Sequence, residues 1–161
     1  MVFDFRFRGL QDESEVLDLE NFLRLQSLGY PNYQDWVNKA KEEILSGYKK
    51  VILAFSEGCL VGDLIFQSHK QLRGLLELKN LRVDSWIRGR YFGSFLLRQA
   101  EIEARKFGQG ALICDTHSDN LEVNSLLRFC GYQELVRVPL YENNKEEIIY
   151  IKPLIKGVVL I

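Results

Sequence analysis

Residues that build metal and redox sites are scarce in this chain of 161 residues, which has three cysteines and two histidines. Cys59, Cys114 and Cys130 stand far apart with no Cys-x-x-Cys pair, which argues against a metal site and against a disulfide framework. Each is expected to pack as a small apolar residue in a reducing compartment. Net charge is also lacking: 21 basic and 22 acidic residues leave −1, so no overall field draws the chain to nucleic acid or to an anionic membrane. Any such partner needs a local patch. No run approaches the roughly 18 apolar residues of a membrane span, and the start MVFDFRFRGL lacks the apolar stretch of a signal peptide. A soluble, cytoplasmic protein is expected. Two phosphate-binding signatures are missing as well, the loop ending in Gly-Lys-Ser/Thr and the triple-glycine fingerprint with an acidic residue about 20 positions later. There are no repeats or low-complexity segments.

Apolar residues, by contrast, are plentiful. At 47% of the composition they suffice for one domain that buries about two-thirds of its unfolded surface. That domain is expected over residues 1–155. The tail 156–161 is unusually apolar for a free end, which points to packing on the domain or on a second subunit, as in a homodimer.

The chain is organised around Glu77 to Phe107, ELKNLRVDSWIRGRYFGSFLLRQAEIEARKF. Leu78, Leu81 and Val83 mark a strand closed by the turn residues Asp84 and Ser85. From Gly93 the period changes: Leu96, Leu97, Ala100, Ala104 and Phe107 recur at helical steps, and Gly108 stops the helix. Between them lies Arg88-Gly89-Arg90-Tyr91-Phe92-Gly93. A helix start presents free N–H groups and a partial positive charge, and two arginines add full charge, so this turn suits an anion such as a pyrophosphate. A polar turn with solvated arginines is the other reading.

The remaining elements follow from pattern. Phe3, Phe5 and Phe7 alternate with Asp4, Arg6 and Arg8 as in a strand with one buried face. Val16, Leu19 and Leu23, widened by Phe22 and Leu25, form a helical stripe up to Gly29. A second helix has Asn32 as cap, Asp35 completing a capping box, and Trp36, Val37, Ala40 and Ile44 as its buried stripe. Val51–Phe55 and Cys59–Gln67 read as a hairpin across Ser56-Glu57-Gly58, with Gly62 marking a bulge or a close backbone neighbour. His69 falls in a surface turn. Ala111 to Cys114 reads as a fully buried strand, parallel to the one ending at Val83 because a helix connects them. A short helix from Leu121 to Cys130, a strand marked by Tyr132, Leu135, Val136 and Val138, a hairpin loop from Tyr141 to Lys145 and a strand from Glu147 to Leu154 complete the chain. The order is β-α-α-β-β-β-α-β-α-β-β.

LRVDSWIRGRYFGSFLL resembles the acetyl-coenzyme A signature of the GNAT superfamily of N-acetyltransferases, Arg/Gln-x-x-Gly-x-Gly/Ala after a strand. Arg88 takes its first place and Gly93 its last; Tyr91 stands where the pattern has its middle glycine. A tyrosine can serve there if its φ is negative. NSLLRFCGYQEL is similar to the family's closing helix and the step into its next strand, so the resemblance spans roughly residues 2 to 154. It implies an α/β fold, more strictly α+β, with a mixed sheet of about seven strands and a splayed parallel pair. It implies acetyl-CoA as co-substrate, entering where that pair splays. The pantetheine would bond to backbone at Leu81, Arg82 and Val83, with the Val83 N–H facing the thioester oxygen. The pyrophosphate would lie on Arg88, Gly89, Arg90, Tyr91, Phe92, Gly93 and Ser94. Glu77 matches a position where some members carry a general base, and a solvated strand residue is its alternative. Asn120 resembles an asparagine that bonds to the cofactor arm, against simple helix capping.

Many members place an acidic tyrosine seven residues after that asparagine, where this chain has Leu127. Tyr132, Tyr141 and Cys130 are then candidate donors to the departing thiolate, which can also leave unassisted. His117, at the end of the buried strand, could relay a proton from substrate. The acceptor implied is a primary amine of a small molecule, peptide or protein, chosen by the first two helices and the C-terminal loops. Two other functions stay open. Tyr91 and Leu127 suit a non-catalytic acyl-CoA-binding module. Arg82, Arg88, Arg90, Arg98, Arg105 and Lys106 suit an RNA-directed acetyltransferase or a nucleic-acid binder, which the balanced charge makes the weaker option.

Overall fold

The computed structural model describes residues 4–26, 29–141 and 145–155. Its elements are β1 (Phe5–Arg8), α1 (Ser14–Leu25), α2 (Tyr33–Leu45), β2 (Lys50–Ser56), β3 (Cys59–Ser68), β4 (Leu75–Val83), α3 (Phe92–Lys106), β5 (Ala111–His117), α4 (Leu121–Phe129), β6 (Gln133–Val138) and β7 (Glu147–Pro153). This is the expected order, element for element. The strands form a mixed seven-stranded sheet ordered β1-β2-β3-β4-β5-β7-β6. β4 and β5 are parallel and pair at Leu75–Ala111, Leu76–Leu112 and Glu77–Ile113, after which both strands run on, so the parallel pair splays as expected. The apolar tail 156–161 lies outside the described residues, as do Phe3 and most of the loop after Tyr141. No described helix is long and apolar enough to cross a membrane.

The chain groups into two compact units, Met1–Gln67 with Asn80–Gln99 and Ser68–Lys79 with Ala100–Ile161. In the first, Val16, Leu19 and Leu23 of α1 and Tyr33, Val37 and Ile44 of α2 pack with Val51, Leu53 and Ile65 of β2 and β3. The helical stripes are as the spacing predicts, with corrections at their margins. Leu25 is exposed, because α1 ends there. Tyr33 rather than Trp36 is buried; its hydroxyl donates to the Leu23 carbonyl at 2.8 Å, and Trp36 stacks on its ring. The capping box at Asn32 and Asp35 does not form. Asn32 has φ +58°, and its side chain makes no capping bond; only its carbonyl enters the helix, accepting from Trp36 N.

The β2–β3 hairpin turns through Glu57 and Gly58, both with positive φ, as a two-residue turn requires. Both expectations for Gly62 hold together. The register shifts between Ala54 and Phe55, leaving Val61 as the extra residue of a bulge, and a Cβ on Gly62 would stand 2.7 Å from the Arg82 carbonyl oxygen.

In the second unit β5, β7 and β6 run antiparallel in turn. Lys152 Nζ donates to Glu101 Oε1 and to the Cys130 carbonyl, tying β7 to α3 and to the end of α4. Phe107 is exposed rather than part of the α3 stripe, because the helix has ended and Gly108 has turned at φ +66°. Cys114 is buried as expected and Cys130 partly so, but Cys59 is exposed at the start of β3.

Candidate active site

The turn after β4 is anchored by two buried residues. Ile87 closes a single 3-10 turn capped by Asp84, and Phe92 opens α3 with its ring against Phe5 and Phe7, centroids 5.1 and 5.3 Å away. Between these anchors Arg88, Gly89, Arg90 and Tyr91 stand exposed. Arg88 Nε donates to the Val83 carbonyl at 3.0 Å, bracing the turn on the strand that precedes it. The Tyr91 carbonyl accepts from Phe95 N, so the N–H groups of Phe92, Gly93 and Ser94 begin the helix with no intrahelical acceptor. With the partial charge of the helix start and two guanidinium groups, the turn has the donors of an anion site.

Gly89 has φ +74° and Tyr91 φ +65°. The condition that Tyr91 keep a negative φ is therefore not met. The backbone takes a left-handed path here, and tyrosine follows it at a cost of about 1–2 kcal/mol. Such strain is characteristic of ligand-gripping turns.

Leu81, Arg82 and Val83 end β4, each partly buried. Arg82 donates to the Leu81 carbonyl at 3.0 Å and to the Gln26 carbonyl at 3.4 Å, so its side chain braces α1 and β4. Arg105 donates to the Leu154 carbonyl and Lys106 pairs with Glu103. At least four of the six basic residues read from the sequence, Arg82, Arg88, Arg105 and Lys106, are thus engaged within the fold, which weakens the case for a nucleic-acid surface.

Glu77 shares a face of β4 with Lys79, Leu81 and Val83 by alternation. Its carboxylate is partly buried, and Lys79 Nζ lies 2.9 Å from Oε1. Asn120 caps α4, accepting from Val123 N at 3.3 Å, so the capping role is met. The Asn120 N–H donates to the His117 carbonyl, which brings these two candidates together at the end of β5.

Tyr132 lies elsewhere. It is buried beside Lys152, whose ammonium is 5.5 Å from its ring, and burial holds its phenol well above the usual range. Leu127 is buried too. Tyr141 donates to Asp115 Oδ2 at 3.1 Å, and the Cys130 carbonyl is taken by Lys152.

Two buried carboxyl groups had no signal in the sequence. Asp63 is fully buried and accepts from Asn80 Nδ2 at 2.7 Å, while its Oδ1 has no hydrogen-bond partner among the described residues. Burial pushes its pKa up to about 7, against the Asn80 hydrogen bond and the Arg82 charge. Glu147, fully buried, lies against His117. Each is a single acidic residue in a strand, and only the cross-strand register shows its partner.

The model of the acetyltransferase (GNAT) family matches residues 14–132. No curated protein matches the sequence. Among solved structures, the chain is similar to a GNAT-family protein from Desulfovibrio desulfuricans, with TM-score 0.82 and 15% identity over 93% of this chain and 99% of that one. It is similar to the ribosomal-protein-alanine N-acetyltransferase of Brucella melitensis, with TM-score 0.73 and 20% identity over 92% and 99%. The Salmonella typhimurium protein yncA, solved with its cofactor acetyl-CoA, gives TM-score 0.73 and 16% identity over 99% and 98%. At these identities the likeness is one of fold.

Proposed function

The chain belongs to the acetyltransferase (GNAT) family, and on that premise we propose that it transfers the acetyl group of acetyl-CoA to a primary amine of a small molecule, peptide or protein by direct attack. The observation that carries this reading is the Arg88 turn, where three helix-start N–H groups without an intrahelical acceptor follow a left-handed backbone that bears two exposed arginines, Arg88 and Arg90. Those residues fit a pyrophosphate: the N–H groups of Phe92, Gly93 and Ser94 would bond to it, Arg88 and Arg90 would supply charge, and Gly89 and Tyr91 shape the path. Backbone at Leu81, Arg82 and Val83 would hold the pantetheine. Acetyl-CoA, when bound, supplies an activated thioester.

An amine with pKa near 10 is almost wholly protonated at neutral pH, so attack requires that a proton leave first. Glu77 takes that proton, directly or through water, exchanging its contact with Lys79 for one with the acceptor.

Calorimetry with acetyl-CoA tests the turn. Binding by the wild type should be lost in Gly93→Asp, which sets a carboxylate against the phosphates; unchanged affinity in that variant defeats the assignment. Glu77→Gln keeps the shape and removes the base. Turnover should fall by roughly 10²-fold near neutral pH while cofactor affinity stays within a few-fold. Undiminished turnover would remove Glu77 from the mechanism.

A further inference from the structure

In the second unit α4 and the part of α3 from Ala100 onward pack on one face of the sheet. Lys152, opposite Leu112, reaches Glu101 and the Cys130 carbonyl, and Arg128 lies over the ring of Tyr150, which is opposite Cys114. Alternation puts Ile113, Asp115 and His117 on the other face, with Glu77 beside Ile113 through the parallel register and Glu147 directly across from His117. The two groups already read as proton carriers, Glu77 and His117, therefore share a face. Tyr132, packed beside Lys152, does not lie on it.

Glu147 opens β7, an interior strand, and is fully buried. A buried carboxylate is costly unless it is well paired. Its contact is His117 Nδ1 at Oε1, and neither carboxylate oxygen makes a hydrogen bond to any other described residue. His117 is held from behind: its carbonyl accepts from Asn124 Nδ2 at 3.0 Å and from Asn120 N at 3.1 Å. Its ring keeps 11% of its surface open, at the carboxyl end of a parallel strand, where α/β sheets place ligands. Asp115, bonded to Tyr141, and Asp119, near Lys145, complete the charged surroundings.

We propose that His117 and Glu147 form the relay that protonates the departing thiol, replacing the acid that Leu127 cannot supply; this rests on the acetyl-transfer reading above. Burial pushes Glu147 up to about 7, with Asp115 and Asp119 adding to the rise and Lys145 opposing it. Burial, then Lys145, draws His117 down, against Asp119 and Asp115. Just below pH about 7 Glu147 is mostly the carboxylic acid and the lowered His117 is a neutral imidazole, so that Glu147 donates to Nδ1 and the ring proton sits on Nε2. As the carbon–sulfur bond breaks, its electron pair goes to sulfur. Nε2 gives its proton to that sulfur, and Nδ1 takes the proton of Glu147, which is left as carboxylate. The proton shed by the amine on forming the amide restores it.

Glu147→Gln keeps the volume and, donating from its amide to Nδ1, the same tautomer, but it cannot hand on a proton. Thiol release from acetyl-CoA is followed with a diamine, an alkyl monoamine and a peptide with a free N-terminus. Glu147→Gln and His117→Gln should each lose roughly 10²-fold in turnover, with calorimetric affinity for acetyl-CoA within a few-fold. The decline of wild-type turnover above pH about 7 should vanish in Glu147→Gln. Nitrogen NMR of the rings, of which the chain has only His69 and His117, gives a readout independent of turnover and should show His117 as the Nε2–H tautomer at neutral pH. An Nδ1–H tautomer, or turnover and pH profile untouched in both variants, overturns the relay and leaves acetyl transfer standing. A wild type that acetylates none of the amines overturns both.

Discussion

Tyr91 carries the plainest conflict between a side chain and its backbone. Left-handed φ costs an L residue about 1–2 kcal/mol, and glycine recovers part of that by losing the Cβ while giving some back as unfolded-state entropy. The ring is 67% exposed and has little packing to lose. Tyr91→Gly should therefore stabilise the protein by about 0.5–1 kcal/mol, a rise of roughly 1–4 °C in melting temperature for a chain of this size. Acetyl-CoA affinity should hold or improve, since the proposed grip is through backbone. Calorimetric melting checks the first part, and a lower melting temperature would mean that the ring holds the turn together.

At the scale of elements, the bulge in β3 decides how closely β4 can approach. Val61, the residue left over by the register shift, offers its carbonyl to Asp84 N at 2.8 Å, and Gly62 leaves room for the Arg82 carbonyl. Together they hold the end of β4, which leads into the Arg88 turn. In Gly62→Ala the new Cβ meets backbone rather than a flexible side chain, so β4 must move. The expected cost is about 1–3 kcal/mol, with weaker acetyl-CoA binding because Leu81 to Val83 shift with it. A variant that melts and binds as the wild type does would refute this account of the bulge. The hairpin and the position of Gly62 were legible in the sequence, since a positive-φ turn and an interior glycine are local signals. The empty capping box was not, because whether Asn32 enters its helix left-handed depends on where the chain arrives from.

For the molecule as a whole, two buried carboxyl groups and the partly buried His117 give stability a pH dependence on the acid side of neutrality. Asp63, at about 7 folded and near 3.9 unfolded, binds its proton more tightly when folded, so its contribution is present at low pH and is lost as pH rises from about 4 to about 7. Glu147 acts in the same direction over nearly the same range. His117, whose pKa is drawn down, acts oppositely, its contribution growing as pH rises toward 6.5. Asp63→Asn keeps an acceptor for Asn80 Nδ2 and removes the titration. Urea midpoints at pH 5 and pH 8 should show the variant gaining on the wild type at the higher pH, by up to a few kcal/mol. An equal difference at both values would mean that Asp63 is not neutralised by folding.

Local pattern determined the element order and most of the stripes of α1 and α3, residue types marked the Arg88 turn, and the connecting helix determined the parallel pair. These depend on interactions within a few residues, or on a connection whose handedness is nearly invariant. Tertiary structure decided which polar groups meet. Asp63 reaches Asn80 and His117 reaches Glu147 only through strand order and register, and no spacing within one strand encodes either pairing. It also decided that Tyr91 turns left-handed, since the path of that turn is dictated by two buried anchors, Ile87 and Phe92, on either side of it. A sequence shows which face of an element seeks burial; it does not show what stands opposite that face, and there the partners of the buried carboxyl groups are decided.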